Sequence, residues 1–154
     1  MNTNSPAATG KLVGIAVREK SRAVMTEHES IDITKEAGLN GDFRGKPGNR
    51  QVTVLCDQAW QEVCQALNKQ LPWITRRANL LVTGISLPQT AGAIIQFGDV
   101  QLQITGETDP CNRMDEYCPG LQDALTPDWR GGVCCKVISP GRVSVGDTVE
   151  ISMA

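Results

Sequence analysis

The chain has 154 residues, of which 40% are hydrophobic and 21% charged, with a formal net charge of −2 and an isoelectric point near 5.4. That length suits one domain with a complete core, and the composition is that of a globular protein, not of a disordered or membrane-spanning one. The slight acidity leaves no global basic field for nucleic acid or an anionic membrane, so any anion site must be local.

Residues 1–10 are polar and are expected to form a flexible tail ahead of a single domain over residues 11–154. The tail lacks the charged and apolar regions of a signal peptide, and no later run is long enough to cross a bilayer. A cytoplasmic protein with no membrane partner is expected. Residues 11–18 read as a buried strand, and Ile31 and Ile33 alternate with Asp32 and Thr34 in a second. Residues 38–50 are dense in turn formers and carry three cations, Arg44, Lys46 and Arg50. Loops longer than about twelve residues in compact domains are usually functional or disordered, which makes this segment a candidate site element.

Residues 51–56 alternate as a strand, and Asp57 is placed to cap the helix that follows. Trp60, Val63, Cys64 and Leu67 recur at i, i+3, i+4 and i+7, giving that helix one apolar face. Pro72 separates it from residues 73–79, where Arg76 and Arg77 stand at the entrance to the apolar run 80–82. Paired arginines are most often a solvated surface; at a strand entrance they also suit an anion clamp. Gly98-Asp99 and Gly146-Asp147 each precede an alternating strand, which points to two hairpins. Between them, residues 119–125 form a short helix with Leu121, Ala124 and Leu125 on one face. Residues 133–138 then form a strand with Val133, Cys135 and Val137 toward the core and Cys134 beside Lys136 on the other face. Many short strands and few helices predict a mainly β, barrel-like fold: a strongly curled mixed or antiparallel sheet with two or so short helices packed outside.

Cys111, in the run Thr108-Asp109-Pro110-Cys111-Asn112-Arg113-Met114, is the leading candidate for chemistry. It follows a strand-like segment and precedes a helix-like one, so it belongs to a loop at an element junction. Pro110 fixes its own φ and restricts Asp109, while Arg113 supplies a cation, which favours the nucleophilic, metal-binding thiolate. Against this stands the usual fate of a free cysteine, which is to be buried as a small hydrophobe. The six cysteines are expected to be reduced, because a chain with a normal core needs no staples. None forms C-x-x-C and the one histidine is His28, so no zinc is expected. Cys56, Cys64 and Cys135 are assigned to the core. Cys118 is assigned to packing beside Pro119, with a role as resolving partner of Cys111 as the alternative, and Cys134 is left open.

Taken in order, Gly-Leu-Asn-Gly-Asp-Phe-Arg-Gly at 38–45, Arg50-Gln51-Val52, Arg76-Arg77-Ala78-Asn79 running to Ile85, Asp109-Pro110-Cys111, and Arg130-Gly131-Gly132-Val133 running to Gly141 and Gly146-Asp147 resemble the MOSC domain. That domain takes its name from the C-terminal region of molybdenum-cofactor sulfurase. The resemblance spans roughly residues 11–151 and implies a β-rich, barrel-like domain tied to molybdenum-cofactor chemistry. It implies that Cys111 carries sulfur as a persulfide or ligates molybdenum, and that the cofactor is Mo-molybdopterin. A soft thiolate is matched to either role. Because arginine forks grip phosphate, Arg50, Arg76, Arg77, Asn79, Arg113 and Arg130 are the expected cofactor-binding positions. The implied partners are a sulfur donor such as a cysteine desulfurase, or a redox protein. Larger relatives add a pyridoxal-phosphate desulfurase domain or an N-terminal β-barrel, and some reduce N-hydroxylated compounds. No lysine here sits in a recognisable pyridoxal-phosphate setting, so that cofactor is not expected. The chain departs from the resemblance at Phe43 and Arg44, in a loop where many relatives carry a histidine. Two functions follow: sulfur or metal handling through Cys111, as a sulfurtransferase or a molybdenum-dependent N-hydroxy-compound reductase; or a non-catalytic cofactor-carrying or partner-binding module whose cysteine is redox-sensing or structural.

Overall fold

The computed structural model describes residues 8–153. In chain order the elements are β1 (Ala8–Val17), β2 (Thr26–Glu27), β3 (Ser30–Thr34), β4 (Gly38–Leu39), β5 (Val52–Cys56), α1 (Asp57–Leu67), β6 (Leu80–Thr83), β7 (Ile94–Phe97), β8 (Val100–Glu107), α2 (Met114–Tyr117), α3 (Leu121–Leu125), β9 (Val133–Ser139), β10 (Gly141–Ser144) and β11 (Thr148–Ser152), with 3-10 turns at Trp73–Arg76 and Pro127–Trp129. Strands run β11-β7-β8-β9-β5-β6-β1, and β1 pairs back onto β11. The result is a closed seven-stranded mixed barrel, which leaves its member strands no free edge. Among the described residues only β5 and β6 pair in parallel, and α1 is the crossover that a parallel pair requires. β2 extends the sheet beyond β1, and β10, β3 and β4 form a second, small sheet. No helix among the described residues is long and apolar enough to cross a membrane.

Alternation decides what the barrel encloses. Along β8, Val100, Leu102 and Ile104 are buried while Gln101, Gln103 and Thr105 are half-buried, and Leu102 and Ile104 lie opposite Val137 and Cys135 of β9. β5 is buried on both faces, as a strand beside a crossover helix must be: Val52 and Val54 join the barrel interior, while Leu55 joins Trp60, Val63, Cys64, Leu121 and Leu125 beneath the helices. Trp60 brings its indole N–H to the Leu71 carbonyl at 2.9 Å, so its burial leaves no donor unpaired. α1 and α3 are the two helices expected outside the barrel, and α2 is a single additional turn.

Three local expectations are corrected. β1 begins at Ala8, not at Lys11, because Ala8, Thr9, Gly10 and Lys11 pair with Ile151, Glu150, Val149 and Thr148; these residues close the barrel instead of lying in a tail, and residues 1–7 fall outside the described residues. Gly146-Asp147 does not make a hairpin: β10 pairs with β3, whereas β11 pairs with β1 and β7. The Asp147 carboxylate accepts from the Ser144 amide at 2.8 Å, so the turn hands the chain from the small sheet to the barrel. Gly98-Asp99 does close a hairpin, with Phe97 opposite Val100. Asp57 is not the cap of α1. Cys56 holds that position without a side-chain bond, and Asp57, one residue too late to cap, instead accepts from Gln61 at 3.4 Å.

Candidate functional site

β8 ends at Glu107, and the Thr108 amide donates to the Gly132 carbonyl at 2.9 Å, which pins the chain beside β9 as it leaves the barrel. Asp109-Pro110-Cys111 then runs over the surface until the Met114 amide donates to the Cys111 carbonyl at 3.0 Å and α2 begins. Cys111 is exposed, whereas the other five cysteines are buried. It stands on the wall shared by two open pockets, one of about 380 Å³ and one of about 390 Å³.

The first pocket is cationic. Arg18, Arg22, Arg44, Arg50, Arg76, Arg77 and Arg113 line it against two aspartates, Asp42 and Asp109. Among the described residues only Arg22 of these seven has a carboxylate partner, Glu116 at 3.6 Å. Asp42 makes no ion pair with these arginines; its oxygens accept from the backbone amides of Arg18 at 3.2 Å and Arg44 at 3.3 Å. Arg76 is buried with 7% of its surface exposed. Its Nε donates to the Gly131 carbonyl at 3.0 Å, Nη2 to the Thr108 carbonyl at 2.9 Å and Nη1 to the Met114 sulfur at 3.5 Å, which leaves two of the five guanidinium N–H groups free. Burial pushes the Arg76 guanidinium down from its ordinary value; the Cys111 and Cys134 thiols oppose this, Arg50 adds to it, and Asp109 opposes it. Gly131 has to be glycine here, since a Cβ would come within 2.8 Å of the Thr108 carbonyl oxygen and 3.1 Å of Arg76 Nη2.

Arg77 ends the 3-10 turn in the left-handed region at φ 68°, so the two adjacent arginines diverge. Arg76 turns inward, while Arg77 lies over the Tyr117 ring at 5.8 Å and donates to the Ala23 carbonyl. Its Nε is buried without a partner. Arg18 is likewise pushed down by burial and then by Arg77 and Arg44, with Asp42 and Tyr117 opposing. The 38–50 loop brings in Arg44 and Arg50, and Lys46 is not part of the lining. Gln51 shapes that loop: its amide donates to the Lys35 and Gly45 carbonyls at 2.8 and 2.9 Å and accepts from the Val137 amide at 2.9 Å.

Of the positions expected to bind cofactor, Arg50, Arg76, Arg77 and Arg113 converge on the pocket, and Asn79 reaches it in a different capacity. The Asn79 oxygen accepts from the Thr53 amide and hydroxyl at 3.0 and 3.3 Å, and its nitrogen donates to the Ala16 carbonyl at 3.2 Å. It is a knot joining β1, β5 and β6 under the pocket floor. Arg130 is not in the pocket; it donates to the Ala124 carbonyl at 3.2 Å and faces Glu62 at 3.9 Å, on the helical side. Arg18, Arg22, Thr108 and Tyr117 also line the pocket, and sequence patterns do not single them out as binding positions. Arg18 directly follows β1, which ends at Val17.

The second pocket is lined by Asn49, Arg50, Glu107, Asp109, Cys111 and Cys134 among others. Burial, then the charge of Asp109 and a hydrogen bond with it, hold the Glu107 carboxyl above its ordinary value, and Arg76 opposes them. Cys134, expected on the face of β9 away from the core, is buried at this pocket's wall, with its sulfur 3.3 Å from the Thr108 hydroxyl. Cys118 is packed beneath the helices with its thiol 3.7 Å from the Pro119 carbonyl. Cys56, Cys64 and Cys135 are core residues, and burial, helped by Cys134, pushes the Cys135 thiol far above its ordinary value. No group of three His, Cys, Asp or Glu among the described residues is placed to hold a metal ion.

A family model described as the MOSC domain matches residues 35–150. No curated protein matches the chain. Among solved structures, the YUAD protein from Bacillus subtilis superposes with a TM-score of 0.81 at 22% identity, covering 95% of this chain and 97% of that one. YiiM from Escherichia coli gives 0.69 at 16% identity, with 94% and 70% covered. YiiM from Geobacillus stearothermophilus gives 0.75 at 13% identity, with 93% and 75% covered. Identities this low speak to a shared fold.

Proposed function

The chain belongs to the MOSC domain family, which is associated with molybdenum-cofactor sulfurase-like proteins, and from that premise we propose that it handles sulfur for the molybdenum cofactor through Cys111. The observation that carries this reading is the position of the one exposed cysteine between two pockets, one of them lined by seven arginines. In this reading Cys111 receives a sulfur atom as a persulfide from a cysteine-desulfurase-type donor and offers it at the arginine pocket.

The residues fit a phosphate-bearing pterin. Arg76 has two N–H groups uncommitted, Arg77 Nε is buried without an acceptor, and six of the seven arginines lack a carboxylate partner among the described residues. Guanidinium forks in a desolvated setting favour a multivalent anion. The chemistry such a cofactor supplies is a soft metal centre, to which thiolate or persulfide sulfur is matched. Arg76, Arg77, Arg50 and Arg113 would hold its phosphate, and Asn79 would hold the floor. The pocket's volume of about 380 Å³ favours a second reading as well, in which the whole cofactor stays bound with Cys111 as its ligand and the domain performs oxotransfer on N-hydroxylated compounds.

The test is intact mass spectrometry and pterin fluorescence on wild-type protein and Cys111→Ala purified from a cofactor-producing host. Wild type is expected to take up one sulfur atom on Cys111 when offered polysulfide or to carry a bound pterin, and Cys111→Ala to take up no sulfur while remaining folded. Unchanged cofactor content and persulfide labelling in Cys111→Ala would overturn the reading. So would a Cys111 thiol that resists alkylation until the protein unfolds, which is the behaviour of a structural cysteine.

A further inference from the structure

Cys111 and Cys134 line the same pocket, although they come from different parts of the chain. The β8–β9 ladder shifts register between Ile104 and Gly106 and places Gly106 opposite Cys134. Such an irregularity redirects a strand at its end. The next residues therefore pass directly over Cys134: the Thr108 hydroxyl lies 3.3 Å from its sulfur, and Cys111 follows three residues later. One cation serves both thiols. Arg76 holds the Thr108 carbonyl at 2.9 Å, and the charges of Cys111 and Cys134 both act on its guanidinium. Cys118 has neither connection, being packed beneath the helices in a different cluster.

From this juxtaposition, and resting on the reading of Cys111 as a sulfur carrier, we infer that Cys134 is the resolving thiol of Cys111. The Cys134 sulfur attacks Sγ of the Cys111 persulfide, and a Cys111–Cys134 disulfide forms as the bond to the outer sulfur breaks. That sulfur leaves with the bonding electron pair and takes the Cys134 proton, departing as hydrogen sulfide. The outer sulfur is reduced to sulfide, the Cys134 thiol is oxidised to the disulfide, the Cys111 sulfur keeps its oxidation level, and no external oxidant enters. An external dithiol then reduces the disulfide and becomes a disulfide itself, restoring both cysteines. Thiol–disulfide exchange of this kind depends on access, and both sulfurs border the same open pocket. Both cysteines are free in the structure. A disulfide between them requires their Cα atoms to stand within about 7 Å when the bond forms.

The test loads the full chain with inorganic polysulfide, removes the excess, and follows intact mass, released sulfide and cysteine-linked peptides. In wild type the mass gain of one sulfur is expected to convert to the loss of two hydrogens, with one equivalent of sulfide released and a peptide linking Cys111 to Cys134. Cys134→Ser is expected to keep the additional sulfur and yield no linked peptide, and Cys118→Ser to behave as wild type. Peptide mapping of wild type decides the matter even if Cys134→Ser folds poorly. If sulfide release is the same in Cys134→Ser, or the linked peptide contains Cys118, or the wild-type persulfide persists, the resolving role is overturned while the carrier reading stands. If Cys111 takes up no sulfur at all, both fall together.

Discussion

At the floor of the arginine pocket, Arg76 commits three N–H groups to Gly131, Thr108 and Met114, and Asn79 commits its amide to Thr53 and Ala16. At the rim, Arg44, Arg50 and Arg113 are exposed and make no side-chain hydrogen bond or ion pair among the described residues. A buried cation bonded to backbone carbonyls stays in place whether or not a ligand arrives, and it remains strongly felt because little water screens it. Exposed guanidiniums are free to adapt to a bound anion, but salt screens them over a distance of about 10 Å at 0.1 M ionic strength. The pocket therefore combines a fixed charge with movable ones, and in the proposed reading the first sets where the anion sits while the others add affinity.

Breaking the floor is expected to have the largest effect. Arg76→Ala strands the Thr108 and Gly131 carbonyls, at about 1–3 kcal/mol for each buried group left without its donor. Urea unfolding is expected to show a loss of about 2–6 kcal/mol, and pterin content is expected to fall to background. A variant of unchanged stability would mean that these bonds do not hold the floor. Rim substitutions separate the two properties. Arg50→Ala and Arg113→Ala are expected to change stability by no more than about 0.5 kcal/mol. Each would weaken pterin retention by about tenfold, the equivalent of one charge-assisted hydrogen bond of about 1.5 kcal/mol, with the difference shrinking as salt is raised. Retention that falls equally at low and high salt would point to lost shape rather than lost charge.

The same contrast separates what the sequence discloses from what only the fold discloses. Local patterns are legible in the sequence. The alternation of Val100, Leu102 and Ile104 marks β8, the spacing of Trp60, Val63 and Cys64 marks α1, and Asp109-Pro110-Cys111 marks the exposed thiol. Long-range pairing is not legible, because no local periodicity reports that β1 closes onto β11 or that β5 runs parallel to β6. Gly146-Asp147 has the residues of a hairpin turn, but its flanking strands find other partners. Rim residues in motif-like stretches, Arg50 and Arg113, are identifiable by type and position. Arg18 reads as no more than the end of a strand, since its approach to Arg77 and Arg44 exists only in the fold. Asn79 looks like a ligand because a polar residue among arginines looks functional. Its burial, which turns it into a knot between strands, is a tertiary property.

Arg130 brings the comparison to its smallest expected effect. It belongs to the same motif-bearing stretch as Gly131, whose carbonyl holds Arg76, yet its own guanidinium points to the helices. The 3-10 turn before it contains Asp128 in the left-handed region at φ 53°, and after that reversal the Arg130 side chain meets Ala124 and Glu62. The Glu62 contact is long at 3.9 Å and its carboxylate is exposed, so it contributes little. Removing the guanidinium loses chiefly one bond to the Ala124 carbonyl, about 1 kcal/mol. Arg130→Ala is therefore expected to retain wild-type pterin content at every salt concentration while its unfolding midpoint falls slightly. A drop in pterin retention on the scale of Arg50→Ala would place Arg130 on the rim after all and would require residues 127–130 to rearrange when the anion binds.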